Sequence, residues 1–251
     1  GVIVQRLTRN PMASPEVLGV SGGAALGFMV ALFTIPAVSS LGLSVAGMLG
    51  ALAGIVLVLA LNRRNGFAPD LVLLTGVAVT AAVGGVQSLL LAGGDPRGQQ
   101  ALAWMSGSTY YVNLTGGLAI AALALAASAM VPLIARWLDL LPLGSETAAA
   151  LGVRVNRSRL VLLLAVAVLT GCATLIVGPL SFVGLLAPHM ARLAGFHRAR
   201  GHLLGAAGLG ASVMILADWL GRQILYPQEM PAGLVAALIG GTYFIISLRR
   251  L

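Results

Sequence analysis

Lysine is absent from this 251-residue chain: all fifteen of its basic residues are arginine. Without lysine there can be no P-loop, whose lysine holds the terminal phosphates of a nucleotide, and no Schiff-base chemistry. Cysteine occurs once, as Cys172 in an apolar run, which excludes an internal disulfide and a cysteine metal cage. Charge is scarce as well, at 9% of residues against about 25% in soluble domains. What fills the chain instead is hydrophobe, 59% of residues, giving a mean hydropathy of +0.99. That is the composition of a polytopic membrane protein. The net charge of +8 does not point to nucleic acid. The arginines fall in short clusters between apolar runs, the pattern of the positive-inside rule, and not on one basic stripe.

A membrane span needs about 20 residues, fewer when sheltered within protein. Eight runs qualify, at approximately 17–36, 42–61, 69–92, 114–135, 159–177, 180–195, 203–224 and 231–248. They are too long for barrel strands, so an all-α membrane helix bundle is predicted, one transmembrane unit over 1–251. With eight spans, Arg6, Arg9, Arg63, Arg64, Arg136, Arg154, Arg157, Arg159, Arg192, Arg198, Arg200, Arg249 and Arg250 share one side, and only Arg97 and Arg222 lie opposite. The rich side is the cytoplasmic one, and both ends of the chain are predicted there. The chain opens at Gly1 within a polar-flanked segment, without an initiator methionine or a signal-peptide pattern, and reads as a fragment lacking N-terminal spans.

Small residues recur at four-residue spacing, as Gly23 with Gly27, Gly50 with Gly54 and Gly201 with Gly205. Such pairs let helix backbones approach closely in lipid. On the outer side, Asp95-Pro96 reads as a turn and residues 99–104 as a short interfacial helix. Trp104, Tyr110 and Tyr111 suit the membrane–water boundary, and Trp104 and the adjoining Met105 are equally candidates for contact with a ligand in a pathway.

Residues 136–159, RWLDLLPLGSETAAALGVRVNRSR, interrupt the apolar pattern. They carry Arg136, Arg154, Arg157, Arg159, Asp139 and Glu146 around a helix of about six residues, too short to be stable alone in water. Ser145 is expected to cap it by accepting a hydrogen bond, Glu146 to place negative charge in its first turn, and Gly152 to supply the left-handed residue past its end. Such a helix needs a surface to pack on, which another protein would provide; the alternative is an ordinary ordered loop between spans.

Two polar residues fall within the apolar runs. His189 follows Pro188 in a short span and has no second ligand at helical spacing, which favours a hydrogen-bonded structural histidine over a metal ligand. His197 and His202 are assigned to a cytoplasmic loop. Asp218 lies inside a span with Arg222 at i+4, so it reads either as a functional intramembrane acid or as half of a local ion pair.

Three segments resemble the permease subunits of ABC importers for iron siderophores, haem and vitamin B12: RNPMASPEVLGVSGGAALG from Arg9 to Gly27, GPLSFVGLLAPHMARLAGFHRARGHLLGAAGLGASVMILADWLGR from Gly178 to Arg222, and Glu229-Met230-Pro231-Ala232-Gly233. The match extends over essentially the whole chain. Within the family, LAWMSGSTYYV and LDLLPLGSETAAALGV are most similar to the C-terminal half of the ferric hydroxamate permeases. Those are fusions of two ten-span halves, so eight spans imply that the first span of this half and most of its second are missing.

The resemblance implies that 136–159 is a cytoplasmic coupling segment, its E-x-x-A-x-L-G pattern carried by Glu146, Ala149, Leu151 and Gly152 and docked in a cleft of a separate ABC ATPase. It implies further partners: a periplasmic substrate-binding protein, presenting acids to Arg97 and Arg222; a second permease half; and a ferric siderophore as cargo, with this chain itself in the bacterial inner membrane. No cofactor is expected on this chain, ATP and Mg belonging to the ATPase. A haem or vitamin B12 permease is the alternative within the family. An intramembrane enzyme lacks its inventory, there being neither H-E-x-x-H nor an acid pair flanking a histidine; a structural membrane scaffold remains the rival of another class.

Overall fold

The structure, a computed structural model, describes residues 1–109, 112, 114–224 and 230–248. Tyr110, Tyr111, Glu229, Arg249 and Arg250 lie outside the described residues. Among those described, every regular element is helical: α1 Val2–Thr8, α2 Val20–Thr34, α3 Ser40–Asn62, α4 Pro69–Ala92, α5 Gly98–Met105, α6 Leu114–Leu140, α7 Ser145–Ala150, α8 Val155–Val177, α9 Val183–Leu193, α10 Ala199–Ile224 and α11 Ala232–Leu248. Each of the eight predicted runs overlaps one of these helices, and the membrane helix bundle is as expected. Five, built on α3, α4, α6, α8 and α10, are long and apolar enough to cross a membrane, while α2 and α11 are shorter apolar helices. The run at 180–195 yields only the 11 residues of α9. At 1.5 Å per residue α9 reaches roughly 16 Å, about half of a hydrocarbon core.

In lipid, apolar burial alone does not drive helices together, so close backbone contact has to. The tightest pairing here is α2 on α3. A Cβ at Gly23 would overlap the carbonyl oxygen of Gly50, one at Gly50 that of Gly23, one at Gly27 that of Ala46, and one at Gly54 that of Gly19. Gly201 and Gly205, of identical spacing, do something else. They cradle the ring of Phe196, whose Cδ2 lies 2.7 Å from where a Gly205 Cβ would sit. The buried core runs from α1 and the Pro15–Leu18 turn through α3, the end of α6 and α8, with Leu18, Val58, Leu138 and Leu162 fully enclosed.

The bundle has two distinct ends. At one, Arg6 of α1 meets Asp139 at the end of α6, and the same Asp139 accepts the Ala199 N–H at the start of α10. At the other, Arg97 meets the last turn of α2, Ser108 N–H bonds the Val177 carbonyl ending α8, and Gly233 N–H bonds Gly107 at the start of α11. Arg6, Arg159 and Arg192 therefore belong to one end, and Arg97 and Arg222 to the other.

Candidate functional site

The predicted short helix is present as α7, but its first turn differs from expectation. The capping position belongs to Gly144, with φ 111, and Ser145 is the first helical residue. Its hydroxyl instead accepts a hydrogen bond from Arg159 Nη2 at 2.9 Å, tying α7 to α8. Glu146 does stand in the first turn. At the far end Gly152 adopts φ 82. Its N–H bonds the Ala149 carbonyl at 2.9 Å, and Val153 N–H bonds that of Ala148 at 2.9 Å. This is a Schellman closure, in which a left-handed glycine lets the last carbonyls find donors. Ala148 and Val153 are buried beneath the helix, whereas Glu146, Ala149, Leu151 and Gly152 are all exposed. The flanking charges sort themselves into neighbours: Arg136 and Asp139 lie in α6, Arg157 and Arg159 in α8. A six-residue helix is thus fixed at both ends and turned outward along the face that carries the four singled-out residues.

At the opposite end, the two expected outward cations are both engaged. Arg97 Nε and Nη2 donate to Asp95 at 3.0 and 2.7 Å. Its Nη1 and Nη2 also donate to the carbonyls of Leu32 and Phe33, the latter at 3.0 Å. Those carbonyls close α2, where orphan acceptors and the negative end of the helix dipole favour a cation. The Arg97 guanidinium and backbone N–H hold the Asp95 carboxyl below the usual carboxylate range. Arg222 grips Asp218 with Nε and Nη2 at 2.9 and 3.1 Å, and Thr109 donates its hydroxyl to the same carboxylate. Asp218 is thus the i+4 ion pair that the spacing allowed. Trp104 stacks on Phe28, ring centroids 4.3 Å apart at 8°, and Met105 packs into the same α2–α5 cluster.

His189 faces rings, with Tyr243 at 5.7 Å and Phe244 at 5.6 Å between centroids. His202, assigned to a loop by its polarity, is buried in α10. Arg6 Nε donates to its Nδ1 at 3.3 Å, so its Nε2 is the donor to the Pro188 carbonyl at 2.9 Å. Arg6 further donates to the Leu138 carbonyl at 3.4 Å, to Asp139 Oδ1 at 2.8 Å and to the His197 carbonyl. The buried Gln5 donates to the Leu185 carbonyl at 3.4 Å and accepts from Arg192 Nη2 at 3.1 Å. Glu16, hidden in the connector between α1 and α2, has its carboxyl pushed up by burial, against a hydrogen bond with the Phe182 backbone. None of these partnerships has a sequence signal, since their members lie up to 196 positions apart.

Membrane-length apolar helices, short helices packed among them and arginine-bearing ends define a polytopic helical membrane protein. The match to the FecCD transport family covers residues 1–250, and the chain belongs to that family. It is 47% identical over 252 residues to the iron(3+)-hydroxamate import system permease protein FhuB of Salmonella typhimurium, covering 100% of this chain and 36% of that protein. It is 36% identical over 251 residues to the Fe(3+)-citrate import system permease protein YfmE of Bacillus subtilis, covering 99% of this chain and 75% of that one. The chain thus spans little more than a third of the length of its hydroxamate-system relatives. Among solved structures, an inward-facing conformation described as that of a metal-chelate type ABC transporter superposes with a TM-score of 0.91 at 26% identity, over 100% of this chain and 80% of that one.

Proposed function

We propose that the chain is part of the membrane-embedded permease of a bacterial ABC importer for ferric hydroxamate-type siderophores. The observation that carries this is α7, pinned by Arg159 and the Gly152 closure and exposed at Glu146, Ala149, Leu151 and Gly152, in a chain of the FecCD family. A compact cap transmits a rigid-body push that a flexible loop would absorb. A separate ATPase binds and hydrolyses ATP with Mg, and α7 rides in its cleft. The end that carries Arg6, Arg159 and Arg192 faces the cytoplasm. The other end receives a periplasmic binding protein near Arg97 and Arg222, whose charges Asp95 and Asp218 already offset in part. A second permease half completes the pathway. The chain itself makes no bonds; its work is alternating access.

Hydroxamate cargo is favoured by the identity to the hydroxamate-system relatives, 47 and 46%, against 36% for the citrate relative and 37% for a hemin permease. The test is uptake by proteoliposomes holding the full permease, its ATPase and its binding protein, offered ferric hydroxamates, ferric citrate, haem and cobalamin. ATP-dependent accumulation of the hydroxamate is expected. Preference for haem or cobalamin gives the alternative cargo, and no ATP-dependent uptake of any of them rejects the transport reading.

A further inference from the structure

Movement of α7 has two routes into the bundle. One is the Arg159–Ser145 hydrogen bond into α8. The other runs back through the 3₁₀ turn Leu141–Leu143 to the last turn of α6, where Leu138 and Asp139 sit. At that point Arg6 joins three separate elements with one guanidinium: the Leu138 carbonyl and Asp139 carboxylate of α6, the His197 carbonyl of the α9–α10 connection, and the His202 ring of α10. Asp139 Oδ1 accepts the Arg6 bond and also the Ala199 N–H that opens α10. One residue before it in α1, Gln5 holds α9 through the Leu185 carbonyl and Arg192.

The junction is sparing in its components. Arg6 links the end of α6 to the α9–α10 connection and to α10, and it can do so because a planar fork reaches several acceptors at fixed angles, which a lysine cannot. Its side chain is 16% exposed and that of Asp139 46%. An ion pair this open to solvent contributes little to stability by itself. Its geometry is what matters: one oxygen fixes the end of α6 to the beginning of α10.

We infer that Arg6 and Asp139 are positioning residues that convey displacement of the coupling segment to α9 and α10. This rests on the transport reading above. Neither residue touches cargo or nucleotide; both act by keeping the ends of α6 and α10 in register while α7 moves.

The experiment uses the complete importer in proteoliposomes and reads three quantities: ATPase association, ATP hydrolysis stimulated by the loaded binding protein, and cargo transported per ATP hydrolysed. The variants are Asp139→Asn, which keeps an acceptor for Ala199 but drops the charge, Arg6→Lys, which keeps the charge but loses the fork, and Asp139→Glu. Association stays normal and hydrolysis within about twofold, while transport per ATP falls at least about fivefold in the first two, the low end of site–site coupling. Asp139→Glu recovers most of the ratio. An unchanged ratio overturns the inference. So does hydrolysis falling in step with transport, the mark of a merely structural role. Glu146→Arg and Ala149→Pro are run in parallel. If both keep full association, turnover and transport, it is the coupling role of α7 that has failed; if they fail and the junction variants keep the ratio, the junction alone has.

Discussion

Gly152 is held by its backbone alone. Nothing lies within 4 Å of where its Cβ would project, yet φ 82 is a conformation that a β-branched side chain strongly resists. Gly152→Val should therefore cost roughly 1–3 kcal/mol of local order at α7, and Gly152→Asn much less, since asparagine tolerates the left-handed region. The check is ATPase co-purification with substrate-stimulated hydrolysis: valine lowers both and asparagine restores most of the loss. Glu146→Arg puts a positive charge at the positive end of the helix dipole, costing about 0.3–1 kcal/mol, and equal association of that variant would remove Glu146 from the interface. Gly152 was legible in the sequence because a helix stop is local chemistry. Ser145 was not, because the competing donor, Arg159, comes from the next helix. Arg97 reads as an outward cation until the carbonyls of Leu32 and Phe33 are seen beneath it. Arg97→Glu should thus lower the thermal unfolding midpoint of the purified permease as well as slow binding-protein association at low salt. Arg222→Ala, which loses a half-exposed i+4 pair, should cost under about 1 kcal/mol.

At the scale of elements, equal spacing had two meanings. Four glycines of α2 and α3 bring two backbones together, whereas Gly201 and Gly205 make room for one ring. A four-residue repeat specifies a smooth stripe on a helix; what fills the stripe is settled by the partner, which the repeat does not encode. The two sites should respond differently. Gly50→Val drives a branched side chain into the Gly23 carbonyl and should cost at least about 1–3 kcal/mol, or block assembly. Gly205→Ala meets only the Phe196 ring, which is 42% exposed and can swing aside, so its penalty should be well below that of Gly50→Val. Thermal unfolding of both variants in the same detergent tests the order. Helix type was readable throughout, because continuous apolar runs leave the backbone no other way to satisfy itself in lipid. Helix length was less so: α9 is cut to 11 residues by the Gly178–Phe182 connection, in which Phe182 takes φ 67, and nothing in the apolar pattern of 180–195 marks that break.

For the whole molecule, the division of arginines between two ends makes orientation measurable. In a Cys172→Ser background, a cysteine at the exposed Thr147 of α7 should label from the cytoplasmic side and one at the exposed Gln99 of α5 from the other. Labelling of both from one side would overturn the assignment. The ends could be read from sequence because charge counting needs no tertiary information, while the Arg6 and Gln5 partnerships could not, because they join residues more than 130 positions apart. The α2–α3 crossing carries one more consequence. Where carbonyl oxygens of one helix rest against the glycines of the next, no side-chain rotamers stand between them to be exchanged, and so the contact has no alternative packing to switch into. Two helices joined in that way travel as one solid piece, and whatever opens and shuts in this protein must hinge around them. Spin labels on the outer faces of α2 and α3 should accordingly report one unchanging separation in every nucleotide state, a fixed keel against which all other distances are read.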